Sequence, residues 1–187
     1  MSAGSDTGAA PASVLRFWFT ELEPRQWWAV DPRLDDTIRE RFGECLRSAA
    51  RCELAALRDT ARGRLAEIVV LDQFSRNVYR GTPQAFAQDA VALALAQEAC
   101  RSGALEGLSP VERSFLLMPY MHSESKLIHA EAAGLFQRFT PPTSYEFELK
   151  HKVIIDHFGR YPHRNAILGR ESNGEEVAFL AGPNSRF

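Results

Sequence analysis

The sequence predicts an all-α fold, a single-domain bundle of seven to eight antiparallel-neighbour helices, from three observations. Strand patterns are nearly absent, helix-start signals recur along the chain, and between those signals apolar residues step by three and four. At 187 residues, with 45% hydrophobic and 25% charged composition, the chain is long enough for one core and short for two. Residues 1–12, within the polar opening "MSAGSDTGAAPAS", read as a disordered leader, and residues 13–187 as one all-α domain.

Each element has its own local reason. "VLRFWFTEL" supplies a first helix, and Phe17, Trp18, Phe19, Trp27 and Trp28 are expected to pack it onto the bundle rather than to cage a ligand. Asp31 caps and Pro32 opens a second helix, to about Cys52, whose stripe is Leu34, Ile38, Phe42, Cys45 and Ala49. "LAEIVVLDQFSRNVY" is apolar on several sides, which predicts a central helix buried nearly all round. Thr82-Pro83 repeats the start device, and "AFAQDAVALALAQEAC" reads as a core helix ended by Gly103. Capping boxes are expected at "SPVE" (109–112), "TSYE" (143–146) and "SNGE" (172–175). Pro119 is expected to interrupt an apolar helix. Further helices follow over Ser123–Phe139, Thr143–Phe158 with Gly159 as C-cap, and about Asn173–Leu180.

Composition excludes several function classes. A formal net charge of −2 with dispersed basic residues gives no field for nucleic acid or an anionic membrane. No run approaches the ~18 apolar residues a membrane span needs. Cys45, Cys52 and Cys100 form an odd set without a Cys-x-x-Cys pair, so a disulfide framework or structural zinc is not expected and a reducing cytoplasm fits. No P-loop, dinucleotide fingerprint or nucleophile elbow occurs, and no cofactor is expected.

Three polar stretches stand out. In "LDQFSRNVYRG", Asp72, Arg76 and Arg80 share a helix face, with Gln73 and Asn77 beside it; an Asp72–Arg76 ion pair with Arg80 capping the helix end competes with a ligand site. In "MPYMHSES", Ser123 reads as an N-cap, while His122 and Glu124 suit an acid–base pair or metal ligands; no metal is expected, because no His-x-x-x-His or Glu-x-x-His pairing on a helix completes a ligand set. In "DHFGRYPHRN", Gly159 and Pro162 make a rigid turn from which Arg160, His163, Arg164 and Asn165 offer donors suited to a carboxylate or phosphate; capping of helix carbonyls is the competing account. His151 reads as a core histidine, and His129 and His157 as surface residues.

Together "LDQFSRNVYRGTPQAFAQD", "LMPYMHSES" and "HFGRYPHRNAILGRESNGEE", with the "VLRFWF…WW" opening, resemble domain-of-unknown-function family 924 of bacteria and fungi over Val14 to Phe187. The resemblance implies a tetratricopeptide-like helical fold without the repeat signature, and an activity not assigned. Its pattern falls here on Asp72, Gln73, Arg76, Asn77, Arg80, Asp89, His122, Glu124, His151, Arg160, His163, Arg164, Asn165, Arg170 and Glu176. Three positions depart from it: His157 replaces an Arg, His129 a Gln and Asn173 a Thr.

The expected function is a pocket binding a small anionic or polar molecule. Arg76, Asn77, Arg80, Arg160, Arg164 and Asn165 would hold the ligand. In a catalytic version His163 or His122 would be the acid or base, oriented by Asp72 or Glu124. A tetratricopeptide-like module binding a peptide partner is the alternative.

Overall fold

A computed structural model describes residues 11–183 and Ser185. Most of the expected leader lies outside the described residues, but Pro11 and Ala12 already belong to helix α1 (Pro11–Arg16). A π-helical turn at Phe17–Glu21 and a 3-10 turn at Pro24–Trp28 follow. The described residues form no strand.

α2 (Pro32–Ala50) begins as the sequence indicates: Asp31 is extended and its side chain accepts from Arg33 N at 2.9 Å, while Pro32 takes the first helical position. Its apolar stripe is buried along its whole length. α3 (Ala61–Val69) continues through a π turn (Val70–Phe74) into α4 (Ser75–Val78), and every residue from Leu65 to Ser75 is buried. The backbone there is satisfied within the helix, so the cost of burial falls on the polar side chains and their partners. α5 (Asp89–Arg101) and α6 (Pro110–Met121) pack against this core. The short turns after α6 and α7 (Lys126–Phe139) fold α6, α7 and α8 (Pro142–Phe158) into neighbouring hairpins. A 3-10 turn at Pro162–Arg164 and α9 (Gly174–Leu180) complete the fold.

The aromatic opening is core, as expected. Phe17 and Phe74 each meet Phe42 at 5.0 Å, Trp18 meets Phe115 edge-on at 5.7 Å, and Trp27 Nε1 donates to Trp18 O.

Several local expectations need correction. Pro119 lies inside α6, which runs on to Met121; in the last turn its missing N–H costs a single bond, too little to stop a helix buried on that face. The α7 cap is Ser125, accepting from Ile128 N, and not Ser123. α8 begins at Pro142 behind Pro141, so Thr143 and Glu146 already lie in the helix and form no box. The last box is Asn173 with Glu176, one residue later than the pattern suggests; the Ser109–Glu112 box forms as expected. Among the described residues no helix is long and apolar enough to cross a membrane.

Candidate functional site

The site starts from a buried carboxylate. Asp72, carried by the π turn, is fully enclosed; its Oδ1 accepts from His122 Nδ1 at 2.8 Å and Arg76 Nη1 at 3.1 Å, and its Oδ2 from Gln73 Nε2 at 2.6 Å. Burial pushes its carboxyl up, but the Arg76 guanidinium and the His122 and Gln73 hydrogen bonds more than offset this and hold it well below the usual carboxylate range. Asp72 is therefore ionised, and only the imidazole can supply the shared proton: Nδ1–H donates and Nε2 carries the lone pair. Burial and the Arg76 charge hold His122 below the ordinary imidazole value, against the pull of Asp72, so the ring is neutral at pH 7.

The chain of contacts continues outward. Arg76 reaches Asp89 Oδ2 at 3.0 Å, and Arg164 Nη1 reaches the same oxygen at 3.3 Å. Asp89 is the first residue of α5, so α4, α5 and the turn after α8 meet here. Beside them, Glu124 accepts from Tyr161 N at 2.8 Å and from both terminal nitrogens of Arg170, while Arg170 Nε donates to Asn165 Oδ1.

Asp89, His122, Ser123, Glu124 and Arg164 are the polar residues lining an open cleft of about 420 Å³, a size suited to a small ligand. The rest of the lining is apolar, with Phe86, Ala87, Ala90, Leu93, Pro119 and Leu168 among it. His122 presents this cleft with Nε2, which has no hydrogen-bond partner among the described residues.

Arg164 is the anomaly. Arg58, Arg80, Arg160 and Arg170 each pair with a carboxylate through two nitrogens, with Glu67, Asp35, Glu176 and Glu124 respectively. Arg164 is 6% exposed and makes one long hydrogen bond among the described residues; its Nε is buried with no partner. Its guanidinium is clamped between Tyr161, 4.5 Å from the ring centroid, and Phe86, 4.7 Å away. Burial and the neighbouring Arg76 charge push its pKa below the ordinary guanidinium value.

Of the residues singled out in the sequence, the structure gathers Asp72, Arg76, His122, Glu124 and Arg164 in or behind the cleft. Arg80 does not cap its helix; with Asn77 it binds Asp35 of α2. Arg160 pairs with Glu176 of α9, and Asn165 links Arg170 to Ser172. His163 packs its ring against Tyr161 at 5.5 Å and is not among the cleft-lining residues. Among the described residues Glu124 is engaged by Tyr161 N and Arg170, and Asp72 is the carboxylate that bonds His122.

His129 is not a surface residue. It is fully buried, with Nδ1 2.7 Å from Glu148 Oε1 and Nε2 2.9 Å from Ser123 O. His151 is core, its Nδ1 on Phe147 O, and His157 is exposed beside Glu175. Sequence reasoning missed Phe86 and Tyr161 as the faces that clamp Arg164, and no local signal marks them. Asp89 was in view only through the family pattern. Among the described residues no three His, Cys, Asp or Glu side chains gather as a metal set.

Fold and cleft define a class: a single-domain all-helical protein with an aspartate-oriented histidine beside a clamped arginine. Residues 14–184 match DUF924, described as a bacterial protein of unknown function, and the chain belongs to that family. It is similar to the solved structure of the protein of unknown function ATU0120 from Agrobacterium tumefaciens, at 35% identity over 91% of this chain and 96% of that one, with a TM-score of 0.86. No curated protein matches.

Proposed function

We propose that the cleft binds a small anionic or polar molecule at Arg164 and that His122 acts on it as a general base. The under-paired Arg164 carries the binding half of this reading. A nearly buried guanidinium holds five N–H donors, and leaving most of them without an acceptor is costly unless a ligand supplies one. An incoming carboxylate or phosphate would meet the terminal nitrogens of Arg164 as Glu124 meets those of Arg170.

The catalytic half rests on the Asp72–His122 pair. A neutral imidazole with its proton fixed on Nδ1 by an ionised carboxylate presents the basic nitrogen to the cleft, the arrangement needed to take a proton from a bound molecule or from water. No protein hydroxyl or thiol among the described residues bonds Nε2, so the arrangement favours water or the ligand itself as proton donor over a serine or cysteine nucleophile.

The test is an NMR titration of the whole chain with sodium acetate and with inorganic phosphate, following the Arg164 side-chain N–H and the His122 ring protons. Saturable shifts at both residues, abolished in Arg164→Gln, are the expected result. Linear, non-saturating drift with both salts would count decisively against an anion site.

A further inference from the structure

We infer that the natural ligand is an amphipathic monoanion, a carboxylate head on Arg164 with an apolar body lying along Phe86, Leu93, Pro119 and Leu168; this rests on the anion-binding reading above and goes beyond it. The first argument is the composition of the walls. The lining of the 420 Å³ space combines the polar residues Asp89, His122, Ser123, Glu124 and Arg164 with the aliphatic and aromatic residues Pro83, Phe86, Leu93, Pro119 and Leu168. A compact hydrated ion such as inorganic phosphate would leave that apolar part unused, whereas a ligand with a hydrocarbon part would cover it.

Charge decides the head group. Asp72, Asp89 and Glu124 are balanced by Arg76, Arg164 and Arg170, with His122 neutral, so the cluster carries no surplus positive charge. One ligand charge already leaves the cluster net negative, and only the place directly opposite Arg164, whose single bond to Asp89 is long, offsets it. A second would face Asp89 and Glu124 at close range in a partly desolvated site, where like charges repel strongly. A monoanionic carboxylate is favoured over a phosphate dianion on that ground. Two features reinforce the placement. Arg164 is packed against two rings, with centroids 4.7 and 4.5 Å away, so its guanidinium is held before the ligand arrives and little ordering cost remains. The N-terminus of α5 opens on the same cleft at Asp89 and Ala90, with no side-chain cap from Gln88, and contributes positive potential there.

The experiment is a calorimetric and NMR series on the whole chain with acetate, butanoate, hexanoate, octanoate, octylamine and octyl phosphate. Each methylene laid on the apolar part of the lining is worth up to about fourfold in affinity. Octanoate is therefore expected to bind at least about tenfold more tightly than acetate and than octyl phosphate, and octylamine is expected not to compete with it. Leu168→Asn, a partly exposed and uncharged change in the apolar part of the lining, should weaken octanoate at least about tenfold while leaving acetate within about twofold. If acetate saturates Arg164 and affinity does not rise with chain length, the anion reading stands and the amphipathic ligand is wrong. If octyl phosphate binds as tightly as octanoate, the monoanion argument is wrong. If no acid of the series perturbs Arg164, both readings fall. Should Arg164→Gln not fold, Leu168→Asn and the chain-length series decide the matter on their own.

Discussion

Asp72 is the residue on which most of the site depends, because its two oxygens hold three donors from two helices in a place water does not reach. Removing it leaves Arg76 with one partner fewer and His122 without the acceptor that fixes its tautomer. Asp72→Ala should lose about 3–5 kcal/mol of stability in a urea melt, the range for breaking a buried pair, and a loss under about 1 kcal/mol would show that Asp72 is not held as described. The same enclosure sets a pH dependence. His122 lies below the ordinary imidazole value, and burial drives His151 down to about 3. Below the unfolded value near 6.5 the unfolded chain takes up protons on these two residues that the folded chain refuses. Their contribution is fully present above pH 6.5 and is lost as pH falls, at about 1.4 kcal/mol per unit for each proton. Glu148, raised by burial, works with the opposite sign, since its folded form keeps a proton above the unfolded value near 4.5. Melts at pH 5 and 7 should show lower stability at pH 5, and His151→Leu should flatten that difference; an unchanged slope in the variant would remove His151 from the account. None of this was legible for His129: its partner Glu148 lies one helix away, and a histidine beside charged sequence neighbours gives no sign of a fully enclosed acceptor.

At the level of elements, caps and breakers carried most of the information. Asp31-Pro32, Ser109 with Glu112 and Gly159 mark boundaries through chemistry confined to four or five residues, so the chain alone suffices to place them. The missed boundaries have a common cause. Ser123 and Ser125, or Ser172 and Asn173, are equivalent candidates by residue type, and tertiary contacts choose between them. Two glycines separate local from tertiary demand. Gly159 sits at φ +71 with open space where a Cβ would go, so Gly159→Ala should cost only the left-handed strain, roughly 1–2 kcal/mol. At Gly63 an added Cβ would fall 1.9 Å from Leu57 O, a backbone atom, so Gly63→Ala must displace the 3-10 turn Ala55–Asp59 and should cost at least about 3 kcal/mol. Thermal melts of the two variants check the ordering, and equal losses would mean that the 55–63 approach is looser than it looks.

For the molecule as a whole, the all-helical fold and the family were readable from spacing and motifs, whereas the choice among polar residues was not. The arginines and histidines of the three stretches look alike in sequence, and what distinguishes Arg164 from Arg160 is that a carboxylate from α9 meets Arg160 through two nitrogens whereas Asp89 meets Arg164 through one long bond. The bonds that build the cleft also span the chain. Asp72 and His122 are 50 residues apart, Glu124 and Tyr161 37, and Asp89 and Arg164 75. Closing such loops costs entropy that local helices do not bear, so a nucleus drawn from α2, α3 and their aromatic contacts should form first and the cleft should assemble after the rate-limiting step. Arg164→Gln should then speed unfolding and leave the refolding rate nearly unchanged in stopped-flow measurements, while Phe42→Ala slows refolding; a slowed refolding limb in Arg164→Gln would place the cleft in the nucleus instead. Because the bridge from Asp89 to Arg164 joins distant parts of the chain only in the folded state, a ligand that completes Arg164 binds that state alone, and its binding becomes a brake on unfolding.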